Sequence, residues 1–282
     1  MATLAWNRYG KSSVRLVKVR RPPAHAPDGA HDLVDLTIDV QLEGGFEPVY
    51  VDGDNRACLA TDTMKNTVYA LARLDPIDHI ESFAQRLAAH FLGKPPVTLA
   101  RISIGEHRWT RLAPGGRPHP HAFVNGGREQ WTTVVTRDEE GIEVVSGLAD
   151  LVVLKTTGSA FSGFPRDEYT TLPDTRDRIL ATSISASWHY QDGTTDYGAR
   201  ERIRAALVDT FAAHVSESVQ QTLYAMGEAA LAACSDATAI TLALPNRHHL
   251  LVDLQPFGLD NANEIFVATD EPFGLIEATI RR

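Results

Sequence analysis

The sequence has few cysteines, no excess of basic charge and no long apolar run, and each of these absences excludes a class of protein. Only two cysteines occur in 282 residues, so a disulfide framework is not supported and a reducing cytoplasm is expected. The 36 acidic residues outnumber the 27 basic ones, and the resulting net charge of −9 argues against a nucleic-acid-coating protein. No stretch approaches the roughly 18–20 apolar residues that span a bilayer, so no membrane partner is expected.

Several short signals are missing as well. The first residues contain no apolar core of the kind found in secretory signals, and Arg281-Arg282 is not a peroxisomal Ser-Lys-Leu address. There is no Gly-x-Gly-x-x-Gly after a strand, no Walker loop and no Gly-x-Ser-x-Gly. The usual signals of dinucleotide binding, nucleotide hydrolysis and serine hydrolase chemistry are therefore absent. Cys58 and Cys234 both lie in apolar runs, which predicts plain buried packing for each.

What the sequence does contain is an apolar pattern that occurs twice. In the first half, strict alternation over residues 36–42 predicts a half-buried strand. Helical spacing around residues 64–71 and 80–91 predicts two helices, which Asp75-Pro76 separates. Glycine pairs between strand-like runs, including Gly126-Gly127, are typical of turns. The other strand-like runs of this half are 14–19, 97–107 and 130–136.

The second half repeats the order of strands and helices. Helical faces occur at residues 203–215 and 219–230. The strand-like runs are 148–155, 179–190, 239–244, 249–254, 265–269 and 275–280. The repeat predicts an α+β protein made by tandem duplication of an antiparallel sheet covered by a helix pair. The charged turn near residues 137–141 divides it into units 1–139 and 140–282, and open sheet edges indicate oligomer formation.

Four segments are more specific than structure alone requires. They are Tyr9-Gly10-Lys11, residues 60–67, the long run 155–178 and residues 244–249. The third contains Phe-x-Gly-Phe followed by Arg-Asp-Glu-Tyr-Thr-Thr-Leu, and the fourth contains Leu-Pro-Asn-x-His. In this order the segments resemble the urate oxidase (uricase) family, and the resemblance covers nearly the whole chain, from residue 9 to residue 276.

The resemblance implies a fold and an assembly. Family members have the tunnelling fold, or T-fold, in which each of two tandem units is an antiparallel sheet backed by two antiparallel helices. Four chains form a homotetramer whose sheets close into a β-barrel tunnel, with active sites at subunit interfaces. Such closure would remove the exposed sheet edges that the pattern predicts.

The resemblance also implies a role for particular residues. Lys11 and Thr61 resemble a proton-relay pair contributed by different subunits, and His248 resembles the third relay member. Asn246, with Thr61, resembles the residue that holds dioxygen or water above the substrate ring. The remaining substrate-binding positions are Phe161, which would stack on the purine, Arg178 and Gln220, which would grip its opposite edges, and Asp62, Leu172 and Val219, which would line the pocket.

These residue types suit an oxidation of urate by dioxygen that needs no cofactor and no metal. Urate is a planar anion, and the guanidinium of Arg178 can donate two parallel hydrogen bonds to it. The Gln220 amide carries a donor and an acceptor, so it can match a urea-like edge. Lys11 is a poor base at its reference pKa of about 10.4, but burial beside a hydroxyl and a histidine could make it a usable relay member.

Each of these residues also has a simpler interpretation. Lys11 could be solvated, and Thr61 could be a helix N-cap that also fixes its own hydroxyl. The histidines of His119-Pro120-His121 and His248-His249 could be metal ligands, but no partner lies at ligand spacing. On a strand, adjacent histidines point to opposite faces, so only His248 is expected in the pocket.

Two other functions stay open at this point. The first is another enzyme of the same fold that binds a pterin or guanine nucleotide, in which a Glu anchors the heterocycle and zinc is sometimes used. The second is a purine-binding scaffold that has lost activity. The combination of Arg178 with Gln220 argues against the first, and the combination of Lys11, Thr61 and His248 argues against the second.

Overall fold

The chain is an α+β protein, described by a computed structural model over residues 2–22, 29–269 and 271–282. It divides into two compact units, Met1–Gly147 and Leu148–Arg282. Within the described residues, no helix is long and apolar enough to cross a membrane.

Unit 1 is a sheet of antiparallel strands with two long helices. Its strands lie in the order β1, β2, β3, β4, and each neighbouring pair is antiparallel. The elements are β1 (Tyr9–Arg20), β2 (Asp32–Gly44), the short α1 (Glu47–Val51), α2 (Thr61–Leu74), α3 (Ile80–Leu92), β3 (Val97–Arg111), β4 (Phe123–Asp138) and the first residues of β5 (Ile142–Lys155).

The core of unit 1 lies between the sheet and the long helices. Leu36, Ile38, Val40 and Leu42 alternate along β2 and are fully buried, as the period of two predicts. The helices contribute the buried side chains Met64, Val68, Ala72, Phe83, Leu87 and Phe91. Burial of each large apolar side chain contributes roughly 1.5–3 kcal/mol before ordering costs, so this layer fixes the helices on the sheet.

Unit 2 repeats this plan with an added hairpin. After β5 come β6 (Leu180–Tyr190), α4 (Arg200–Ala213), α5 (Val219–Ala233), β7 (Ala237–Arg247), β8 (His249–Leu251), β9 (Phe266–Ala268) and β10 (Gly274–Arg281). The main strands lie in the order β5, β6, β7, β10, while β8 and β9 form a separate two-stranded sheet. Buried residues from both layers include Trp188, Leu207, Leu223, Met226 and Leu242.

Three details differ from the expectations. The boundary between the units lies between Gly147 and Leu148, inside the single strand β5, and not at the turn after residue 139. Gly126-Gly127 lies inside β4, where a Cβ on Gly126 would come within 2.9 Å of the Cβ of Arg108. Gly126 therefore allows close approach to Arg108 beside an irregular register, while Gly127 supplies a positive φ of 93°. Cys58 is only half-buried, whereas Cys234 is buried as expected.

Candidate active site

The residues singled out in the sequence fall into two groups, one in each compact unit. Unit 1 carries Lys11, Thr61 and Asp62. Unit 2 carries Phe161, Leu172, Arg178, Val219, Gln220, Asn246 and His248. Each group is described within its own unit.

In unit 1, Thr61 is the first residue of α2 and not its cap. The N-cap is Ala60, and no side chain caps the helix. The expectation that Thr61 combines a capping bond with its other role is therefore wrong. Its half-buried hydroxyl lies at the N-terminus of a 14-residue helix, where the partial positive charge of the helix dipole favours anionic groups.

Lys11 lies on β1 opposite Val40 and within electrostatic range of the first turn of α2. The pKa of the Asp62 carboxyl is lowered mainly by a 2.5 Å hydrogen bond and the charge of Lys65, and the charge of Lys11 lowers it further. Within one chain, Lys11 thus lies in electrostatic range of the start of α2.

Tyr9 fastens the start of β1 to the segment that precedes α2. Its hydroxyl donates a hydrogen bond of 3.1 Å to the Leu59 carbonyl, and its ring meets Phe46 edge-on at 4.8 Å. Burial raises the pKa of the Tyr9 hydroxyl, and Cys58 raises it further, so this group stays neutral. The sequence marked Tyr9 only as part of a motif, and it gave no signal of this contact.

In unit 2, Arg178 and Phe161 form a cation–π pair. The guanidinium carbon lies 5.4 Å from the ring centroid, within the range of an attractive contact. Burial lowers the pKa of Arg178, which still stays charged at neutral pH. In the described part of the chain, its buried Nε has no hydrogen-bond partner. A charged, planar donor with unused hydrogen-bonding capacity therefore lies beside an aromatic ring.

Phe164 is part of the same stack, although it was not among the predicted site residues. Its ring stacks on Phe161 with 4.9 Å between centroids and 11° between planes. Arg166 in turn lies 5.0 Å from the centroid of Phe164. The Phe-x-Gly-Phe motif was the available signal, since it places two aromatic rings three residues apart.

Asp177 fastens the end of the Phe161 loop to Thr157 and Gly158, where the loop begins. Phe161 and Thr175 exchange backbone hydrogen bonds of 2.8 and 2.9 Å, which close the loop. The Asp177 carboxylate accepts hydrogen bonds from the Thr157 hydroxyl at 2.7 Å and the Gly158 amide at 2.8 Å. The bond from Thr157 is the main cause of a lowered pKa for Asp177, with the backbone amides adding to it. Read as one charge in Arg-Asp-Arg, Asp177 carried no sequence signal of this role.

The start of α5 is fastened to the segment that carries Phe161. The Ala160 amide donates to the Ser216 carbonyl at 2.7 Å, and the Ser216 amide donates to the Gly158 carbonyl at 3.0 Å. Ser218 caps α5 by accepting the Gln221 amide at 3.2 Å. Val219 is then buried at 3% exposure while Gln220 stays exposed. The chain thus joins the segments that carry Phe161, Arg178 and Gln220.

Asn246 lies near the end of β7, with Thr182 of β6 and Gly274 of β10 as its register partners. Arg178 precedes β6 by only two residues, so Arg178 and Asn246 belong to the same end of the sheet. The Thr182 hydroxyl beside Asn246 is buried and has no hydrogen-bond partner within the described residues.

His248 lies between β7 and β8, and His249 begins β8, so the argument from opposite faces of one strand does not apply to this pair. Its carbonyl accepts the Thr269 amide at 2.9 Å, which starts the β8–β9 hairpin. Leu172 lies in the Phe161 loop with its side chain half exposed, and its carbonyl accepts a hydrogen bond of 3.2 Å from Arg166.

The histidine pairs form no metal cluster within the described ranges. No group of three or more His, Cys, Asp or Glu side chains there could hold a metal ion. The rings of His119 and His121 instead meet edge-on at 4.6 Å.

Comparisons with known proteins agree over nearly the whole chain. The family model described as Uricase matches residues 7–136 and 144–277. The uricase of Arthrobacter globiformis is 46% identical over 281 residues, which cover 99% of this chain and 90% of that protein. The uricase of Emericella nidulans is 39% identical over 298 residues, which cover 100% of this chain and 98% of that protein.

Solved structures give the same result. The crystal structure of the uricase from Arthrobacter globiformis matches with a TM-score of 0.93 and 45% identity, covering 100% of this chain and 96% of that one. The urate oxidase from Bacillus sp. TB-90 matches with a TM-score of 0.86 at 23% identity, which supports the fold alone.

Proposed function

The chain belongs to the uricase family, and on that premise we propose that it oxidises urate with dioxygen. Urate, dioxygen and water give 5-hydroxyisourate and hydrogen peroxide in this reaction. We propose further that no cofactor takes part, because a urate dianion is electron-rich enough to react with dioxygen directly. The protein then has to bind a flat anion, remove a proton and keep dioxygen near the ring.

The observation that carries the proposal is the pair of Arg178 and Phe161. A guanidinium whose buried Nε is unpartnered within the described residues lies beside an aromatic ring. The pair can offer charge, directed hydrogen bonds and a stacking face to one planar anion. Gln220 is the second residue of α5 and is exposed, and its amide, with one donor group and one acceptor, suits the opposite, urea-like edge of urate. The backbones of the pocket residues Val219, Leu172 and Asp62 would contribute contacts around the ring.

Proton removal is assigned to Lys11, Thr61 and His248. The Thr61 hydroxyl at a helix N-terminus can pass a proton to an amine that lies nearby, and Lys11 lies in electrostatic range of that turn. Lys65 is also near this turn, but its amine is paired with Asp62. His248 would complete the relay. Asn246 would hold dioxygen, and later water, above the ring together with Thr61.

The division of these residues between the units favours an active site that is completed by a second chain. Lys11 and Thr61 belong to unit 1, while Arg178, Phe161, Gln220, Asn246 and His248 belong to unit 2. We propose that tandem T-fold units of four chains close a β-barrel tunnel, and that unit 1 of one chain completes the site of another. The edge strands β1 and β10 carry exposed apolar side chains such as Val17 and Leu275, which suits burial between copies. The cysteine usage favours a cytoplasmic location.

The test is to mix the purified, chelator-treated protein with urate. Equal consumption of urate and dioxygen with release of peroxide is the expected result. Absence of dioxygen uptake would contradict the proposal. Zinc at a stoichiometric level, together with binding of a pterin or guanine nucleotide, would favour another enzyme of this fold.

A further inference from the structure

Strand β1 contains an irregularity directly after Lys11. Lys11 pairs with Val40 and Val14 pairs with Ile38, so Ser12 and Ser13 together lie opposite the single residue Asp39. This is a β-bulge, with one extra residue on β1. Ser13 has a φ of 56°, a left-handed conformation that residues other than glycine rarely adopt.

The Asp39 side chain is the anchor of this bulge. Its carboxylate accepts the Ser13 backbone amide at 2.6 Å, across the point where ladder pairing is interrupted. A charged acceptor makes a stronger hydrogen bond to an amide than a neutral one does. Asp39 therefore supplies the partner that the bulged amide lacks in the ladder.

The bulge changes which face of the sheet the side chains of β1 occupy. After it, the even-numbered Val14 is buried and the odd-numbered Arg15 and Val17 are exposed. Before it, the odd-numbered Lys11 lies opposite Val40, a core residue of β2. Side chains of directly paired residues share a face, so Lys11 points to the side covered by the helices.

A regular ladder would reverse this arrangement. If Val14 kept its partner and the bulge were absent, Lys11 would pair with Gln41, on the opposite face from Val40. The amine would then lie on the wrong side of the sheet from α2. Tyr9, which reaches the Leu59 carbonyl just before α2, would be turned away as well.

We propose that Ser13 and Asp39 are positioning residues, which use the bulge to direct Lys11 toward Thr61 at the start of α2. The inference rests on the proposed function in one respect only, namely that Lys11 acts in turnover. Unit 2 offers the matched comparison. In β5, Asp150 also has a left-handed φ of 57°. The buried side chains change from the even-numbered Leu148 before it to the odd-numbered Leu151 after it. The residue two positions earlier is the buried Leu148, where unit 1 has Lys11.

The first test disfavours the left-handed conformation. Ser13→Val should lower kcat by about 10²-fold, the lower end of what a positioned acid–base group contributes, and should leave KM for urate nearly unchanged. Ser13→Gly, which adopts this conformation freely, should retain the activity. The matched control is Asp150→Val, which should lower the melting temperature but spare kcat. Equal losses of kcat in both valine variants would overturn the proposal, because a merely structural defect would then explain them.

The second test removes the Asp39 carboxylate and then deletes Ser13, so that no bulged amide is left to bind. Asp39→Ala should lower kcat, while Asp39→Asn, which keeps an acceptor oxygen, should lower it less. Deletion of Ser13 in the Asp39→Ala background leaves Ser12 alone opposite position 39, so Lys11 regains Val40 as its partner in a regular ladder. The deletion should restore most of the lost kcat. A further loss on deletion would contradict the role of the bulge in facing Lys11.

Amide hydrogen exchange separates this inference from the proposed function. The Ser13 amide should exchange slowly in the wild-type chain and rapidly in Asp39→Ala, whatever the activity of either protein. The same exchange rate in both proteins would contradict the role of Asp39 as the anchor of the bulge. A wild-type chain that consumes no dioxygen with urate would contradict the proposed function while this exchange result still decides on the bulge.

Discussion

The two units share one framework but place different residues on it. Each begins with a strand in which a non-glycine residue is left-handed, Ser13 in unit 1 and Asp150 in unit 2. Two residues earlier, unit 1 has the half-buried Lys11 and unit 2 has Leu148 at 1% exposure. The comparison teaches that the same left-handed backbone conformation can follow either an ionisable residue or a packing residue.

The units also differ in how they hold their functional groups. In unit 1, Lys11 and Thr61 lie on a strand and at the start of a helix. In unit 2, Phe161 lies on a loop that depends on hydrogen bonds to Thr175 and on the Asp177 carboxylate nearby. Changes at Lys11 and Thr61 should therefore act on turnover, and changes at Phe161 and Arg178 should act mainly on substrate binding.

The largest expected effect comes from Lys11→Met. Loss of the amine should lower kcat by roughly 10²–10⁴-fold, the usual contribution of a general base, while binding of xanthine, a related purine, should persist. Steady-state kinetics and xanthine titration measure the two quantities.

Lys18→Met is the matched control for that variant. Lys18 lies on the same strand, but its ammonium donates to the Ala72 carbonyl at 2.7 Å and so fastens α2. Its loss should lower the melting temperature and leave kcat in place. A similar fall of kcat in both variants would contradict the assignment of Lys11 to the proton relay, because loss of structure would then explain both.

The next effect in size is that of Arg178→Lys. A lysine keeps the positive charge but loses the planar pair of donors, and a hydrogen bond to a charged group contributes about 1.5–3 kcal/mol. The urate KM should rise by roughly 10–150-fold, with a smaller change in kcat. Arg176→Lys, at an exposed position of the same run, should change neither value. An Arg178→Lys variant with unchanged KM would contradict the substrate grip in unit 2.

Asp177→Asn should have a smaller effect on the same quantity. Without its charge, the loop carrying Phe161 loses its fixed relation to Arg178, and KM for urate should rise by roughly tenfold, about 1.4 kcal/mol of binding. Asp167→Asn is the control, because Asp167 also accepts two hydrogen bonds but only within its own exposed turn. Equal effects of both substitutions would show that Asp177 has no special relation to the site.

The smallest expected effect is a pH dependence of stability that Asp177 supplies. Hydrogen bonds from Thr157 and the neighbouring amides lower its folded pKa below the unfolded value of about 3.9. The free energy of unfolding that Asp177 contributes is therefore complete above the unfolded pKa, and it is lost as the pH falls through the folded pKa. Melting temperatures of the wild type and Asp177→Asn should differ near pH 6, begin to approach each other below about pH 4, and converge only below the folded pKa of Asp177. A difference that persists at low pH would contradict this.

Much of the framework could be predicted from the sequence, because periodicity reports burial directly. The alternation in β2 and the helical spacing of α2 and α3 gave elements that the structure confirms. The helix α1 gave no such signal, since none of its residues is buried. The bulge at Ser13 was equally hidden, because serine carries no mark of a left-handed backbone.

Some residues of the candidate site could be predicted from the sequence, and others could not. Arg178 and Phe161 could be named from their motif, and the structure brings them together. Asp177, Asp39 and Tyr9 could not be assigned a role, because each acts through a partner at least 18 residues away in the chain. Such contacts depend on tertiary pairing, which a pattern of residue types does not contain.

The central claim is that unit 1 of one chain completes the site formed by unit 2 of another, and mixing two inactive variants tests it most directly. Lys11→Met lacks the relay and Arg178→Gln lacks the grip, so each should have little activity alone. Co-expression should form oligomers in which about a quarter of the sites combine an intact unit 1 with an intact unit 2 from different chains. Recovery of roughly that share of wild-type urate oxidation is the expected result. Mixed oligomers without any recovery would contradict the account.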